Sequence, residues 1–304
     1  MSATKIPEAQ DEVPAMMDTR EVAAYLRLKE RRIYDLVRER AIPHVRGSGK
    51  LLFPRDEIDR WLRNGPAPPQ TTLRARPPIV AGSHDPLIEW AVRESASGLA
   101  ILACGSRAGI EALARDEASA ALAHWRDEAS GEYNVPLVQA LLPDRDVVVL
   151  EWARRTQGLL LPAGNPQRVH ALTDLARKRL RIATRQPQSG SHRLLAHLLG
   201  SAGVADDAMV HASRVAHGES EVAAMVAAGE ADVALGIESA AHEHRLAFVP
   251  LTVERVDLVM HRRDAFDPPL QALLAWTRTR AFADKAEALR GYDVANTGRV
   301  VFNA

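Results

Sequence analysis

Five prolines fall within the fifteen residues from Asn64 to Pro78 (NGPAPPQTTLRARPP), where no apolar residue recurs at helical or strand spacing. Fixed φ angles and missing N–H groups keep such a stretch extended and fairly stiff, outside any packed core. The 304-residue chain is therefore expected to fold as separate units, each with its own core. The boundaries read from composition are a disordered tail over 1–17, a compact module over 18–63, a linker over 64–78 and a large body over 79–304.

A net charge of zero conceals an asymmetry. Residues 19–63 hold twelve Lys or Arg against seven Asp or Glu, so that residues 1–78 carry +4 and residues 79–304 carry −4. A basic excess at one end suggests that this end meets a polyanion. The hydrophobic fraction of 46% and charged fraction of 26% suit a globular protein in water. No apolar run approaches the ~20 residues that cross a bilayer. The opening MSATKIPEAQDEVPAMM has no apolar core of a secretory signal, so a cytoplasmic location is expected. The single cysteine, Cys104, sits in the apolar run LAILACG and reads as a small buried hydrophobe.

Within the leading module, Asp18 and Thr19 are competent N-caps, and Glu21 stands three residues after Asp18 as a capping box requires. A first helix is expected over Arg20 to Leu26 and a second from about Glu30 to Arg40. On the second, Ile33, Leu36 and Val37 share one arc, while Arg31, Tyr34, Asp35 and Arg38 share the opposite one. One stripe packs and the other presents donors and an aromatic ring to solvent, as a helix in a major groove must. Gly47-Ser48-Gly49 between two short β runs signals a hairpin, with Arg46, Ser48 and Lys50 at its tip within reach of phosphates. Pro54 to Glu57 opens a last helix on which Ile58, Trp61 and Leu62 pack back. The candidate DNA contacts are Arg31, Tyr34 and Arg38 in the groove, with Arg32, Arg46, Ser48 and Lys50 on the backbone.

The strings TREVAAYL, RRIYDLVRERAIP and FPRDEIDRWL resemble the excisionase/MerR-like winged helix-turn-helix family over nearly the whole module. Arg27 stands at a turn site that often holds Gly or Asn, and Lys29 replaces the usual Ser or Thr cap of the second helix. Loss of such a cap costs about 1 kcal/mol.

From Ile79 onward, short apolar runs alternate with amphipathic stretches. PIVAG, LAILAC, AALAHW, DVVVLEW, GLLLPAG, LRIAT, DVALGI, AFVPL and RVDLVM read as strands, and stretches beginning near Pro86, Arg107, Ser191, Glu219 and Pro269 read as helices. This alternation indicates α/β layers with mainly parallel sheets, arranged either as one sheet of nine strands or as two lobes around a cleft. Three strands run into serine-containing turns that open helices: Ser83-His84-Asp85, then Ser106-Arg107, then Ser189-Gly190-Ser191-His192-Arg193. Backbone N–H groups at such helix ends make an anion site physically cheap. An Asp85 cap, however, would already place a negative charge on the first of them.

The segments GSHDPLIEWA, GEYNVPLV, GLLLPAGNP, RQPQSGSHRLL and GEADVALGIESAA resemble the periplasmic-binding-protein-like domain of cytoplasmic regulators related to molybdate-binding proteins. The resemblance implies a two-lobed type-II fold, lobe 1 comprising about 79–157 and 245–304 and lobe 2 about 158–244. It implies a small-anion ligand, molybdate or tungstate among the possibilities. The candidate ligand residues are Ser83, His84, Ser106, Tyr133, Arg185, Ser189, Ser191, His192 and Arg193. His192 stands where such regulators often carry Arg, and an imidazole attracts an anion strongly only when protonated.

Other constellations carry no chemistry. Ser83-His84-Asp85 spells a hydrolase triad in one dimension only, because adjacent side chains point apart. His242 and His244 lie about 200° apart on a helix, with no Cys to complete a metal site. No cofactor is expected, and no nucleophile–base pair supports an enzyme. The leading reading is a ligand-responsive DNA-binding regulator, acting on duplex operator DNA as a homodimer. Its competitor is an α/β binding protein or enzyme whose helix-turn-helix is an adaptor to another protein.

Overall fold

A computed structural model describes residues 15–39, 41–47, 50–64, 76–143 and 145–304. Most of the expected tail, the centre of the linker and Ser48 lie outside the described residues. Two compact units are present, Met1–Ala75 and Arg76–Ala304.

The leading unit is a three-helix module with a small antiparallel sheet. Helices Thr19–Tyr25, Glu30–Arg38 and Arg55–Asn64 pack around Met17, Val22, Ala23, Ile33, Leu36, Ile42, Phe53 and Ile58. The capping box forms as the spacing requires: Asp18 N–H donates to Glu21 Oε2 at 2.7 Å and Glu21 N–H donates to Asp18 Oδ1 at 2.8 Å. Asp18→Ala is expected to lower the melting free energy of this unit by about 1 kcal/mol, measurable by urea titration. Lys29 makes no side-chain cap, and Arg27 adopts φ 54°, the left-handed turn conformation that favours Gly or Asn. Strands Val45–Gly47 and Lys50–Pro54 pair with Val45 opposite Leu52 and Gly47 opposite Lys50. Met16–Met17 adds a third strand against Phe53 and Pro54, so the chain is ordered earlier than its composition indicates. Trp61 anchors the last helix by donating from Nε1 to the Ala41 carbonyl at 2.8 Å. Leu62, expected to pack inward, is 54% exposed.

In the second unit, strands Ala100–Ala103, Ile79–Gly82 and Ala120–Ala123 run parallel in that spatial order. Ala120–Ala123 pairs antiparallel with Ala247–His261, which pairs antiparallel with Val147–Leu161. Val233–Ile237 follows antiparallel on the far half of that strand, then Arg181–Arg185 and Val210–Ala216 in parallel. Helices Pro86–Glu94, Ser106–Ala114, Gly190–Ser201, Glu219–Ala227 and Pro268–Trp276 stand where the periodicity places them.

Two departures from the sequence reading share one cause. DVVVLEW and GLLLPAG are halves of a single fifteen-residue strand, and so are AFVPL and RVDLVM. Each long strand passes from one lobe into the other, which makes the centre of the sheet antiparallel although each lobe is parallel within itself. Along Val147–Leu161 the pleat alternates cores. Val148, Leu150 and Trp152 face Leu87, Ile88 and Phe282, whereas Val147 and Val149 face Ile110 and Leu113. Beyond Ala153 the neighbours change: Leu159 and Leu161 join Ile182, Leu194 and Leu235, and Leu160 joins Met225 and Ile237. A strand buried on both faces is apolar on both, so it reads as a run rather than an alternation. Strands Val210–Ala216, Tyr292–Asp293 and Val300–Asn303 are additional to the expected set, the first with polar residues among its apolar ones and the other two very short.

Candidate functional site

The second helix of the leading unit holds Ile33 and Leu36 in the core and leaves Arg31, Arg32, Tyr34 and Arg38 exposed, Tyr34 at 53%. Arg38 Nη2 donates to Asp35 Oδ1 at 2.9 Å, and Arg32 lies 3.7 Å from Glu39. Exposed pairs of this kind are worth about 0.2–1 kcal/mol, so phosphate or a base edge can displace them. Arg46 and Lys50 are exposed on neighbouring strands of the wing.

In the second unit the serine turns of both lobes converge. The Ser83 and Ser106 hydroxyls share a hydrogen bond of 2.8 Å, and Ser106 Oγ accepts from the His124 N–H at 3.1 Å. Facing them, Ser189 Oγ accepts from the His192 N–H at 3.1 Å as an ordinary N-cap, while Ser191 donates to Glu219 Oε1 at 2.9 Å. Arg185 Nη1 donates to the same oxygen at 2.7 Å, and its Nη2 donates to the His217 carbonyl at 3.1 Å.

The lobes meet across this cleft. A Cβ on Gly190 would stand 2.5 Å from the His124 carbonyl oxygen, one on Gly105 would stand 3.4 Å from the Gln188 carbonyl oxygen, and one on Gly218 would touch the His84 ring at 3.8 Å. Arg193 lies over the Trp125 ring at 4.4 Å and bonds Glu128 at 2.8 Å. His84 Nε2 lies 3.2 Å from Glu89, and the Tyr133 carbonyl accepts from Arg255 Nη2 at 2.8 Å.

Beneath the serines lies a buried ionic cluster. Arg155, fully enclosed in the lobe-crossing strand, donates from Nη1 to Asp85 Oδ2 at 2.8 Å and from Nε and Nη2 to Glu254 Oε1 at 3.0 and 2.5 Å. Glu254 also accepts from Gln157 Nε2 at 2.8 Å, and its second oxygen lies 2.8 Å from His124 Nδ1. Asp85 additionally accepts from the Tyr292 hydroxyl at 2.7 Å and caps Ile88 N–H at 2.9 Å, so its carboxylate occupies the helix end at Pro86. The helix starting at Ser106, by contrast, has no side-chain cap.

Burial pushes the Glu254 carboxyl upward, but the Arg155 and His124 charges outweigh it and hold it at about 2. Burial likewise opposes ionisation of Glu219, yet Arg185 and then Arg155 keep it below the ordinary carboxylate range. Burial lowers the Arg155 pKa, and Glu254 with Asp85 more than reverses this, raising it well above its usual value. Burial and the nearby Glu254 push the Tyr133 hydroxyl to about 12, so Tyr133 remains a neutral donor or acceptor. Among the described residues no group of three or more His, Cys, Asp or Glu side chains is placed to hold a metal ion.

Arg155, Gln157, Glu254, His124 and Glu219 were not singled out from sequence. Arg154-Arg155 and Glu254-Arg255 interrupt apolar runs and therefore read as breaks between strands. The available signal was their flanks: apolar segments on both sides, with a lone Gly158 in the first and a lone Pro250 in the second and no cluster of turn residues in either.

The family described as PBP superfamily domain matches residues 89–278, and a helix-turn-helix domain family matches residues 16–66. The uncharacterized protein YvgK of Bacillus subtilis (strain 168) is 24% identical over 297 residues, which cover 92% of this chain and 96% of that one. Among solved structures, a substrate-binding protein with bound phosphate from Clostridium perfringens aligns with TM-score 0.51 at 12% identity, covering 69% of this chain and 97% of its own. The sulfate-binding protein SubI from Mycobacterium tuberculosis H37Rv aligns with TM-score 0.51 at 14% identity, covering 70% and 84%. These structures share the two-lobed fold.

Proposed function

This chain belongs to the PBP superfamily domain family, and from that premise, together with its leading helix-turn-helix domain, we propose that it is a ligand-responsive, DNA-binding transcription regulator. The observation that carries this reading is the pairing, in one chain, of an exposed Arg31–Tyr34–Arg38 face with a cleft lined by buried polar groups from two lobes. The ligand we assign to the cleft is a small anion. It would be held near Ser83, His84, Ser106 and Tyr133 of one lobe and Arg185, Ser189, Ser191, His192 and Arg193 of the other. Ligand bound between the lobes favours their closed arrangement by its differential affinity for that state, and this difference is the free energy available to alter DNA binding. We assign the protein to the cytoplasm, where duplex DNA is its partner. A homodimer is the assembly that gives so small a module enough phosphate contacts.

On the DNA side, Arg31, Tyr34 and Arg38 are assigned to base edges, and Arg32, Arg46, Ser48 and Lys50 to phosphates. Lys50→Ala is expected to weaken binding to all duplexes alike and to reduce the slope of log affinity against log salt by about one. Fluorescence anisotropy with labelled operator DNA at a series of salt concentrations checks this. Wild-type affinity and slope in the variant would remove the wing from the interface, and absence of salt-dependent DNA binding in the parent would favour a protein adaptor.

A further inference from the structure

Among the described residues, two buried acceptors in the cleft have no protein donor, Glu219 Oε2 and Gln157 Oε1. Both side chains are enclosed, Glu219 at 1% exposure and Gln157 at 0%. Their remaining atoms are engaged. Glu219 Oε1 accepts from Arg185 Nη1 and Ser191 Oγ, and Gln157 Nε2 donates to Glu254. The two buried guanidiniums are directed elsewhere: Arg155 to Asp85 and Glu254, and Arg185 to Glu219 Oε1 and the His217 carbonyl. Asp85, Glu219 and Glu254 thus already balance Arg155, Arg185 and any charge on His124, so neither of these two guanidiniums is left over for a bare dianion. Unpartnered donors include Arg126 Nη1 and Arg193 Nε, the latter beside Trp125, and the buried Nδ1 atoms of His84 and His192 also lack partners, each able to donate or accept according to its tautomer.

A buried acceptor without a donor carries an uncompensated loss of hydration, and an ionised carboxylate can only accept. We propose that the cleft selects a small anion that also carries a proton donor (an acid O–H, a hydroxyl or an ammonium), with Glu219 and Gln157 accepting from it. Resting on the ligand-sensing reading above, this narrows the ligand class and sets aside molybdate and tungstate. A fully deprotonated oxyanion of the same size would set its lone pairs against those of Glu219, which turns the same carboxylate into a rejecting element.

Isothermal titration calorimetry on the full chain at pH 7 tests this with matched probes: inorganic phosphate against sulfate and molybdate, and lactate against propionate. In each set that binds, the proton-bearing member is expected to bind at least about tenfold tighter. Glu219→Gln retains an oxygen for Arg185 and Ser191 and supplies N–H groups in place of Oε2. It is expected to shift the phosphate-to-sulfate ratio by about tenfold towards sulfate, with thermal melting confirming that the variant is folded. The wild-type comparison needs no variant. Sulfate or molybdate binding as tightly as phosphate, an unchanged ratio in folded Glu219→Gln, or binding by neither phosphate nor lactate would each overturn the proposal. A proton-bearing probe that binds with the expected preference but leaves operator affinity unchanged would support the site and count against the regulator reading.

Discussion

Arg155→Met is expected to destabilise the second unit by about 3–5 kcal/mol at neutral pH, the range for removing one partner from a buried ion network. Met approximates the length of the side chain, so the loss is chiefly electrostatic. Asp85 and Glu254 would remain buried with their shared cation gone. The pH dependence identifies the cause. In the parent, Glu254 is held at about 2 against an ordinary value of 4.5. A depressed folded-state pKa means that its contribution is complete above about 4.5 and is lost as pH falls towards 2. Without Arg155, burial pushes the Glu254 carboxyl upward, so that its protonation relieves the variant. Urea titrations between pH 7 and pH 3 should therefore show the gap between variant and parent narrowing as pH falls. A gap constant with pH would mean that Arg155 acts through packing and not through charge.

The second large effect is expected from Gly190→Ala. The backbone at Gly190 does not require glycine's conformational freedom, because it lies outside the positive-φ set. Alanine suits the helix, and the second lobe should fold normally. The obstacle lies across the cleft, where the new methyl group would stand 2.5 Å from the His124 carbonyl oxygen and 2.7 Å from its Nδ1. Backbone cannot step aside as the tip of a side chain can, so the lobes must separate. Overpacking of this kind costs about 1–3 kcal/mol, or about five- to 150-fold in affinity for any ligand that both lobes hold. Small-angle scattering should report a larger radius of gyration, and phosphate or lactate titration a weaker constant, at an undiminished melting temperature. Parental dimensions and affinity would show that the contact is not maintained in solution.

The strongest local signals in the sequence identify elements that the structure contains. The Asp18–Glu21 spacing marks a helix start, the apolar arc of Ile33 and Leu36 marks a buried face, and the apolar runs PIVAG and LAILAC mark strands Ile79–Gly82 and Ala100–Ala103. The convergent serines were legible because each follows a strand and opens a helix. The ionic floor was not, since its members come from positions 85, 124, 155, 219 and 254 and meet only through the pairing of two long strands. A charged residue inside an apolar run is ambiguous in one dimension: it ends a strand at the surface, or it crosses a buried site with partners supplied from elsewhere. Arg155 and Glu254 belong to the second class. The short carboxy-terminal strands were not legible because Tyr292–Asp293 is two residues long, Val300–Asn303 is four, and both form by pairing with the existing strand Val147–Leu161.

The two fifteen-residue strands also constrain how the two lobes can move. Loose linkers would let the lobes swing about many axes, whereas a hydrogen-bonded ribbon resists shear and yields mainly to twist and bend. Its register shifts, between Pro250 and Thr252 and between Val256 and Asp257, flank the crossing and supply the places where such a ribbon bends most readily. If a ligand closes the cleft as proposed, the lobes would turn chiefly by bending and twisting this ribbon at those two places.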